Sequence, residues 1–336
     1  MELVQFLNQP FSSCFVLVDE NTRKYCYAKI QSLLPKHSLI QIQSGEQNKN
    51  LETCALIWAK LTEANADRKS LLINLGGGVI GDMGGFSAAC YKRGISFINL
   101  PTTLLSMVDA SVGGKTGVDF IGFKNQIGVF QEPEAVFIYT TFLKTLPKRE
   151  LTSGFAEVIK HYLIADKKEF EEIQNSEPVL ESLNWQRVVE KNVKIKSAIV
   201  EQDPHENGVR KALNFGHTIG HAVESHFLKR EGHELLHGEA IAIGMLAESY
   251  ISMKKGLLSE EELKRTATLI QNYFVLPPID IEAQNDVLTL IKQDKKNTNN
   301  SLQFTLLQGI GNYSINNIVE EGLIIDSLHY HNSLCK

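Results

Sequence analysis

Five short apolar runs punctuate the first 150 residues: "CFVLVDE", "LIQIQSG", "SLLINLGGG", "SFINLPTT" and "AVFIYTT". Each is rich in β-branched residues and ends in turn formers or polar groups, which predicts a strand. Between the second and third, "NLETCALIWAKLTEAN" spaces its apolar positions three and four apart, the period of a helix. Strands alternating with helices predict a parallel sheet covered on both faces. From about Thr152 the alternation stops. "GFAEVIKHYLIADKKEFEEIQ", "WQRVVEKNVKIKSAIVEQD", "HGEAIAIGMLAESYISMKKG" and "SEEELKRTATLIQNYF" all carry the helical period, and only "LQFTLLQGIGNYSI" has the look of a β pair. The predicted organisation is therefore an α/β domain over 1–150 and a mainly α-helical domain over 151–336. The boundary falls between Pro147 and Gly154, and a cleft between the two halves is where ligand sites concentrate.

Composition narrows the class of protein. A chain of 336 residues exceeds what one core usually fills, and 43% apolar with 22% charged residues excludes disorder. The net charge of −5, without a long basic run, argues against bulk nucleic-acid binding, so an anionic substrate needs a locally positive pocket. The five cysteines form no CxxC pair and read as reduced thiols of a cytoplasmic protein. The first residues, "MELVQFLNQPFSSCF", lack the basic segment and long apolar core of a secretory signal, and no apolar run approaches the roughly 20 residues that cross a bilayer. A soluble protein with no membrane partner is expected.

Two glycine-rich stretches carry candidate chemistry. In "LLINLGGGVIGDMGGFSAA", Gly76, Gly78 and Gly81 satisfy G-x-G-x-x-G between a strand and a helix, where backbone N–H groups and the helix dipole suit a pyrophosphate. The Rossmann fingerprint also places an acid about 20 residues on to hold the ribose. That region reads "INLPTT", so the acid must come from elsewhere, and Asp19 at the end of the first strand is the candidate. Downstream, Gly113-Gly114-Lys115-Thr116-Gly117 reads as an anion cradle, without the spacing of a P-loop.

The second half supplies acid–base and metal-ligating residue types. Glu157 and Lys160 lie three apart on one helix, and "NFGHTIGHAVE" puts His217 and His221 on one face of another. His237 heads a third. One carboxylate and two histidines leave a fourth zinc position open, the pattern of a catalytic site. Spacing alone does not decide which of His217 and His221 is the ligand. No cysteine lies in these segments, which excludes a cysteine-type structural zinc site.

Taken together, "GGGVIGDMGGF", "YKRG", "PTTLLSMVDASVGGKTGVD", "KNQIGVF", "TLPKRELTSGFAEVIKH", "ENGVRKALNFGHTIGHAVE", "HGEAIAIGM" and "DKKN" resemble the 3-dehydroquinate synthase family of the sugar-phosphate cyclases. The words occur in the family's order between residues 76 and 297, and the resemblance reaches from residue 19 to about 311. The resemblance implies that family's fold, a Rossmann-like domain followed by a helical one with the active site in the cleft between them. It also implies its reaction: 3-deoxy-D-arabino-heptulosonate 7-phosphate becomes 3-dehydroquinate and phosphate. The cofactors implied are NAD+, oxidising a ring hydroxyl transiently and restored at the end, and one divalent ion, zinc or cobalt. A homodimer acting on a small sugar phosphate is expected.

Position by position, the resemblance makes Glu157, His217 and His237 the metal ligands. His221, one turn on from His217, becomes an acid–base group with Glu206. Arg93, Asp109, Lys115, Asn125, Lys160, Lys196, Arg210, Asn214 and Lys295 (or its neighbour Lys296) would contact substrate. NAD+ would be held by Asp19, Asn21, Glu46, Lys49, the Gly76, Gly77 and Gly78 turn, Asp82, Thr102, Thr103, Lys115, Lys124, and the stretch from Phe142 to Thr145. The chain departs from the family pattern at Asp119, where asparagine is common, and in "DFIGFKN", where a glycine often precedes Lys124. Two other readings share these residues. One is a sister cyclase, whose substrates lack the carboxylate that Lys196 and Arg210 suit. The other is a metal- and NAD-dependent polyol dehydrogenase.

Overall fold

The computed structural model describes residues 2–121, 123–228, 234–295 and 302–335; the side chains of residues 123, 294 and 295 also lie outside the description. The chain divides into two compact units, Met1–Leu151 with Trp185–Val193, and Thr152–Asn184 with Lys194–Lys336.

The first unit is built on a five-stranded sheet. Its strands are β1 (Cys14–Asp19), β2 (Ser38–Ile42), β3 (Leu71–Gly76), β4 (Ser96–Pro101) and, after a hairpin, β7 (Ala135–Val136). These are the five apolar runs of the sequence. They pair in the order β2-β1-β3-β4-β7, parallel throughout. All six residues of β3 and five of the six in β1 are buried, because a parallel sheet is covered on both faces. The helices Leu51–Glu63 and Gly78–Cys90 pack there, burying Ile57, Leu61 and Met83 against Phe15, Leu72 and Phe97.

Strand order reverses between β1 and β3: the chain first steps from β1 outward to β2, then returns to the other side of β1. Ligands of open α/β sheets bind beyond the carboxyl ends of strands at such a reversal. Asp19 ends β1 and Gly76 ends β3, one on each side of it.

The stretch read as a glycine cradle is more ordered than expected. Only Gly113 and Gly114 form a turn, both at positive φ; from Lys115 the chain enters an antiparallel hairpin, β5 (Lys115–Phe120) and β6 (Phe123–Phe130). Gly117 and Gly128 face each other backbone to backbone. A Cβ at Gly117 would stand 2.6 Å from the Ile127 carbonyl, so these glycines serve strand pairing rather than a loop.

The second unit is mainly helical. Its helices are Lys148–Ala165, which begins at the boundary, Lys167–Gln174, Trp185–Gln202, which the boundary cuts at Val193, His217–Phe227, His237–Lys254, Glu260–Tyr273, Ile281–Lys295 and Glu321–Leu334. The last two have no counterpart in the sequence reading. The run from Gly154 to Gln174, read as one helical segment, breaks at Asp166, whose carboxylate caps the second piece by accepting from the Glu169 N–H at 3.1 Å. The β pair is present as β8 (Gln303–Leu307) and β9 (Tyr313–Ile318). Helix His237–Lys254 is central, with thirteen buried positions all round its axis, so it shows no amphipathic stripe. Its Ile243, Ala247 and Ile251 share a core with Ile219, Val223, Val287, Phe304 and Leu328. No described helix is long and apolar enough to cross a membrane.

Candidate active site

Three helices of the second unit carry the cluster. Glu157 sits mid-way along Lys148–Ala165, His217 opens His217–Phe227, and His237 opens His237–Lys254. Their convergence depends on close backbone contacts. A Cβ at Gly238 would fall 1.8 Å from the Ser153 carbonyl, and one at Gly244 would fall 1.9 Å from the Gly216 carbonyl. The first contact seats the His237 helix on the Glu157 helix, where the Gly238 N–H donates to Ser153 Oγ at 2.9 Å, one turn before Glu157. The second seats it against the start of the His217 helix.

Glu157 Oε1 lies 3.5 Å from His217 Nε2 and 3.5 Å from His237 Nε2. Two donors bound at about 2.1 Å to a tetrahedral zinc stand about 3.4 Å apart, so these spacings are those of one metal's ligand edges. Each imidazole is anchored through its other nitrogen. His217 Nδ1 is 3.1 Å from the Phe215 carbonyl, and His237 Nδ1 is 3.2 Å from Glu224 Oε2. An Nδ1–H held by a carbonyl or carboxylate leaves Nε2 as the lone-pair donor, which is how metal-binding histidines are oriented. The ligand atoms of His217, His221 and His237 also lie within 4.8 Å of one another. The His221 side chain is exposed, and its ring centroid is 5.0 Å from that of His217. The donor set therefore fits a divalent ion, drawn from Glu157, His217, His221 and His237.

The electrostatics differ between the two anchored imidazoles. Burial first, then the Lys160 cation, push the His217 pKa well below its ordinary value, against the pull of Glu157. Burial also acts on His237, but the carboxylates of Glu224 and Glu157 outweigh it and raise its pKa to about 10. Lys160 forms an ion pair with Glu157, and both side chains are buried.

Other predicted residues of this unit form a polar group of their own. Asn214 Nδ2 donates to Glu206 Oε1 at 2.6 Å. Arg210 is buried, donates from Nη1 to the Pro204 carbonyl at 2.5 Å, and has its N–H on Asp203 Oδ2 at 3.0 Å. Lys196 is buried as well. Glu206 has φ +60, a costly backbone state for a non-glycine residue, as have Arg93 (φ +68) and Asn125 (φ +51).

In the first unit the glycine turn, Gly76 to Gly78, leads into helix Gly78–Cys90, whose N-cap Gly77 offers no side chain to its open N–H groups. A crevice lined by Asn74, Gly76, Gly77, Gly78, Pro101 and Ala110 lies beyond the ends of β3 and β4. Thr102 donates its N–H to the Gly76 carbonyl at 2.9 Å, and Thr103 would stand 3.1 Å from a Cβ at Gly77. An uncapped helix N-terminus with glycine access fits a pyrophosphate. Asp19 caps the short helix after β1, accepting from the Thr22 N–H at 2.7 Å. On the side of the reversal the strand beside the glycine strand is β1, earlier in the chain, and Asp19 ends it.

Beside this turn stands a charged network. Lys49 Nζ donates to Asp82 Oδ2 and to Asn125 Oδ1, each at 2.6 Å, and Lys124 Nζ is 3.3 Å from Glu46 Oε1. Asn125 donates its N–H to Asp119 at 2.7 Å. Burial would depress the Lys49 pKa, but Asp82 and Glu46 raise it above the ordinary lysine value. Asn21 donates to Ser44 Oγ at 3.2 Å, and Lys29 Nζ bonds Thr145 Oγ1 at 3.3 Å beside the buried Phe142. Asp109 is half-buried on the turn Ser106–Ala110, and Lys115 is exposed at the start of β5.

Arg93 is not with this group. It lies exposed three residues before β4, at the edge of the sheet opposite the glycine turn, about 20 Å away along a six-residue strand. The Lys295 side chain and Lys296 lie outside the described residues. Two residues given no role in the sequence reading adjoin the cluster: Glu224, which holds His237, and Glu248, which accepts from the Gly216 and Ile219 N–H groups at 2.6 and 3.0 Å. A buried acid on an otherwise apolar helix is the signal that marks Glu248.

Comparison with known proteins agrees with this arrangement. Residues 39–153 match the 3-dehydroquinate synthase N-terminal family description, and residues 154–297 match the C-terminal one. A 3-dehydroquinate synthase of Parabacteroides distasonis is 41% identical over 337 residues, covering 98% of this chain and 94% of its own. Among solved structures, a 2-epi-5-epi-valiolone synthase of Streptomyces hygroscopicus with NAD+ and Zn2+ bound superposes with a TM-score of 0.87 at 26% identity, covering 98% of this chain and 95% of its own. A 2-deoxy-scyllo-inosose synthase complexed with carbaglucose-6-phosphate, NAD+ and Co2+ gives 0.80 at 25% identity, covering 95% and 90%. With both halves of the family description matched in order along one chain, this protein belongs to the 3-dehydroquinate synthase family.

Proposed function

We infer that the chain converts 3-deoxy-D-arabino-heptulosonate 7-phosphate to 3-dehydroquinate with release of phosphate, a step toward aromatic compounds, and that it uses NAD+ and one divalent ion. The observation that carries the reading is the position of Glu157 Oε1, 3.5 Å from the Nε2 atoms of both His217 and His237. When bound, NAD+ takes up a hydride and later returns it, while the ion draws electron density from a substrate oxygen.

The chain's own residues do the remaining work. Glu157, His217 and His237 hold the ion, with Lys160 balancing the carboxylate charge. His221 and Glu206 move protons, and Asn214 fixes the Glu206 carboxylate by its hydrogen bond. Buried Arg210 and Lys196 supply cations for the carboxylate and phosphate of the substrate. The uncapped helix at Gly78, with Asp19, Glu46 and the Lys49–Asp82 pair around it, receives the dinucleotide. Once the substrate carries a ketone, the adjacent C–H is acidic enough for phosphate to leave by elimination. With His221 and Glu206 moving protons, the ring would then open and an intramolecular aldol would close the carbocycle.

Purified protein given this substrate, NAD+ and zinc is expected to release phosphate with no net NADH. Stoichiometric NADH would mark a dehydrogenase instead, and phosphate release only from sugar phosphates lacking the carboxylate would mark a sister cyclase.

A further inference from the structure

Helix His217–Phe227 begins in an unusual way. Its N-cap is Gly216, held at φ +78, and glycine has no side chain with which to satisfy the open N–H groups of the first turn. A larger residue is excluded twice over, by that backbone state and by contact: a Cβ at Gly216 would stand 2.6 Å from Met245 Cγ and 3.2 Å from the Met245 nitrogen. The cap therefore cannot be local.

Glu248 provides it from another helix. Its Oε2 accepts from the Gly216 N–H at 2.6 Å and its Oε1 from the Ile219 N–H at 3.0 Å, so the two oxygens bracket His217 on either side. The side chain is wholly buried. A carboxylate at a helix N-terminus also complements the helix dipole, and charge-assisted bonds of this kind are short and directional. Glu248 lies on His237–Lys254, eleven residues or about three turns beyond His237. One rigid helix thus carries one imidazole at its head and, further along, the clamp that fixes the backbone of the other.

We propose that Glu248 is a positioning residue for the metal centre: it sets where His217 Nε2 stands relative to His237 Nε2, and so sets metal affinity. The proposal rests on the reading of Glu157, His217 and His237 as metal ligands. It assigns Glu248 no contact with metal or substrate.

Glu248→Gln keeps the shape but turns an amide NH2 toward one of the two backbone donors, so one bracketing bond is lost. Metal-free protein titrated with zinc is expected to bind about 10- to 100-fold more weakly in this variant, as for other residues that orient metal ligands. The cobalt-substituted variant should show an altered visible spectrum, since ligand geometry changes. Leu328→Ala, which hollows the core that Ile219 shares but alters none of the groups in the Glu248 bonds, serves as the control for lost stability. It should lower the melting temperature and leave zinc affinity and the cobalt spectrum as in the parent. Equal zinc affinity in Glu248→Gln and parent, or equal weakening in Glu248→Gln and Leu328→Ala, overturns the proposal. A parent that binds no metal overturns the underlying reading instead. Amide hydrogen exchange on the unmutated protein tests the same coupling without a variant. Zinc should slow exchange at residues 216–219 and at 244–248 together, and slowing confined to one of these segments counts against the clamp.

Discussion

The two polar groupings of this chain are built by opposite means. In the first unit, Lys49, Asp82, Glu46, Lys124 and Asn125 stand within salt-bridge or hydrogen-bond distance of one another beside the glycine turn, each charge facing an opposite one. In the second, two imidazoles and a buried carboxylate converge on one another, with Lys160 on the carboxylate and Glu224 on His237. A charge network that satisfies itself is a frame, stable without a ligand. A set of donors turned inward toward one another is arranged for an ion, whose binding adds to the stability of the fold. The difference teaches which region tolerates what: the frame should answer to mutation in stability and dinucleotide binding, the inward donors in metal content and turnover.

The largest expected effect breaks the inward set. Glu157→Gln keeps the volume but removes the anionic donor, and His217→Ala removes a nitrogen donor. Metal analysis of either purified variant should find little bound zinc, and phosphate release should fall by about 10^4, the scale of several kcal/mol of Lewis-acid assistance. Full metal occupancy in both would dissolve the contrast drawn above.

Next comes the frame. Lys49→Met takes a buried cation from Asp82 while Glu46 keeps Lys124, and breaking a buried pair from one side costs about 3–5 kcal/mol. The denaturant midpoint should drop and NAD+ should bind more weakly, while zinc affinity stays at the parental value. The Lys49 pKa is raised in the folded protein, so this stabilisation is complete below the ordinary lysine pKa and is lost only as pH rises through the raised value. Between pH 6 and 9 the parent–variant gap should hold constant. A gap that closes toward pH 9 would show that Lys49 is not the cation holding the frame.

His221→Ala sharpens the comparison inside the second unit. Its ring is a neighbour of His217 at 5.0 Å, yet the exposed imidazole is read as a proton carrier. Zinc content should remain, with turnover lower by about 10^2, the lower range for a lost acid–base group. Equal metal loss in His217→Ala and His221→Ala would instead favour a three-histidine centre.

Legibility in the sequence followed the same divide. The five strands of the first unit could be read because parallel strands are contiguous apolar runs, and the helices from Lys148 to Tyr273 because they repeat at the helical period. The hairpin at Lys115–Phe130 could not, since Gly117 and Gly128 signal a loop locally and their reason, backbone contact across the pair, is tertiary. The last helices, Ile281–Lys295 and Glu321–Leu334, went unread although Ala283, Val287 and Ile291, and then Ile324 and Leu328, recur at helical spacing. At the site, Glu157, His217 and His237 stood out as residue types, but spacing could not choose between His217 and His221. The structure adds a Phe215 carbonyl on the His217 ring and the approach of that ring to Glu157, both products of the fold. Glu224 and Glu248 act through backbone and imidazole partners 13 and 29–32 residues away, which no local pattern encodes.

The smallest expected effect lies where the chain departs from its family. Asp119 accepts the Asn125 N–H at 2.7 Å, a role an asparagine oxygen fills equally well. Its carboxyl pKa is raised, chiefly by burial and further by Glu46, against the lowering effects of the Asn125 N–H, Lys49 and Lys124. A carboxyl whose pKa is higher folded than unfolded binds its proton better in the folded state, so stability falls as pH rises from the unfolded pKa through the folded one. At neutral pH the ionised Asp119 is thus a small cost. Asp119→Asn should be more stable than the parent by less than about 1 kcal/mol at pH 7, the scale of a partly exposed charge. The advantage should shrink toward zero at a pH below the ordinary carboxyl pKa, where the parental carboxyl is protonated folded and unfolded alike. Denaturant titrations at the two pH values measure the difference. A variant less stable than the parent at pH 7 would mean that Asp119, through its pairing with Lys49 and Lys124, is a working member of the frame rather than a tolerated substitution.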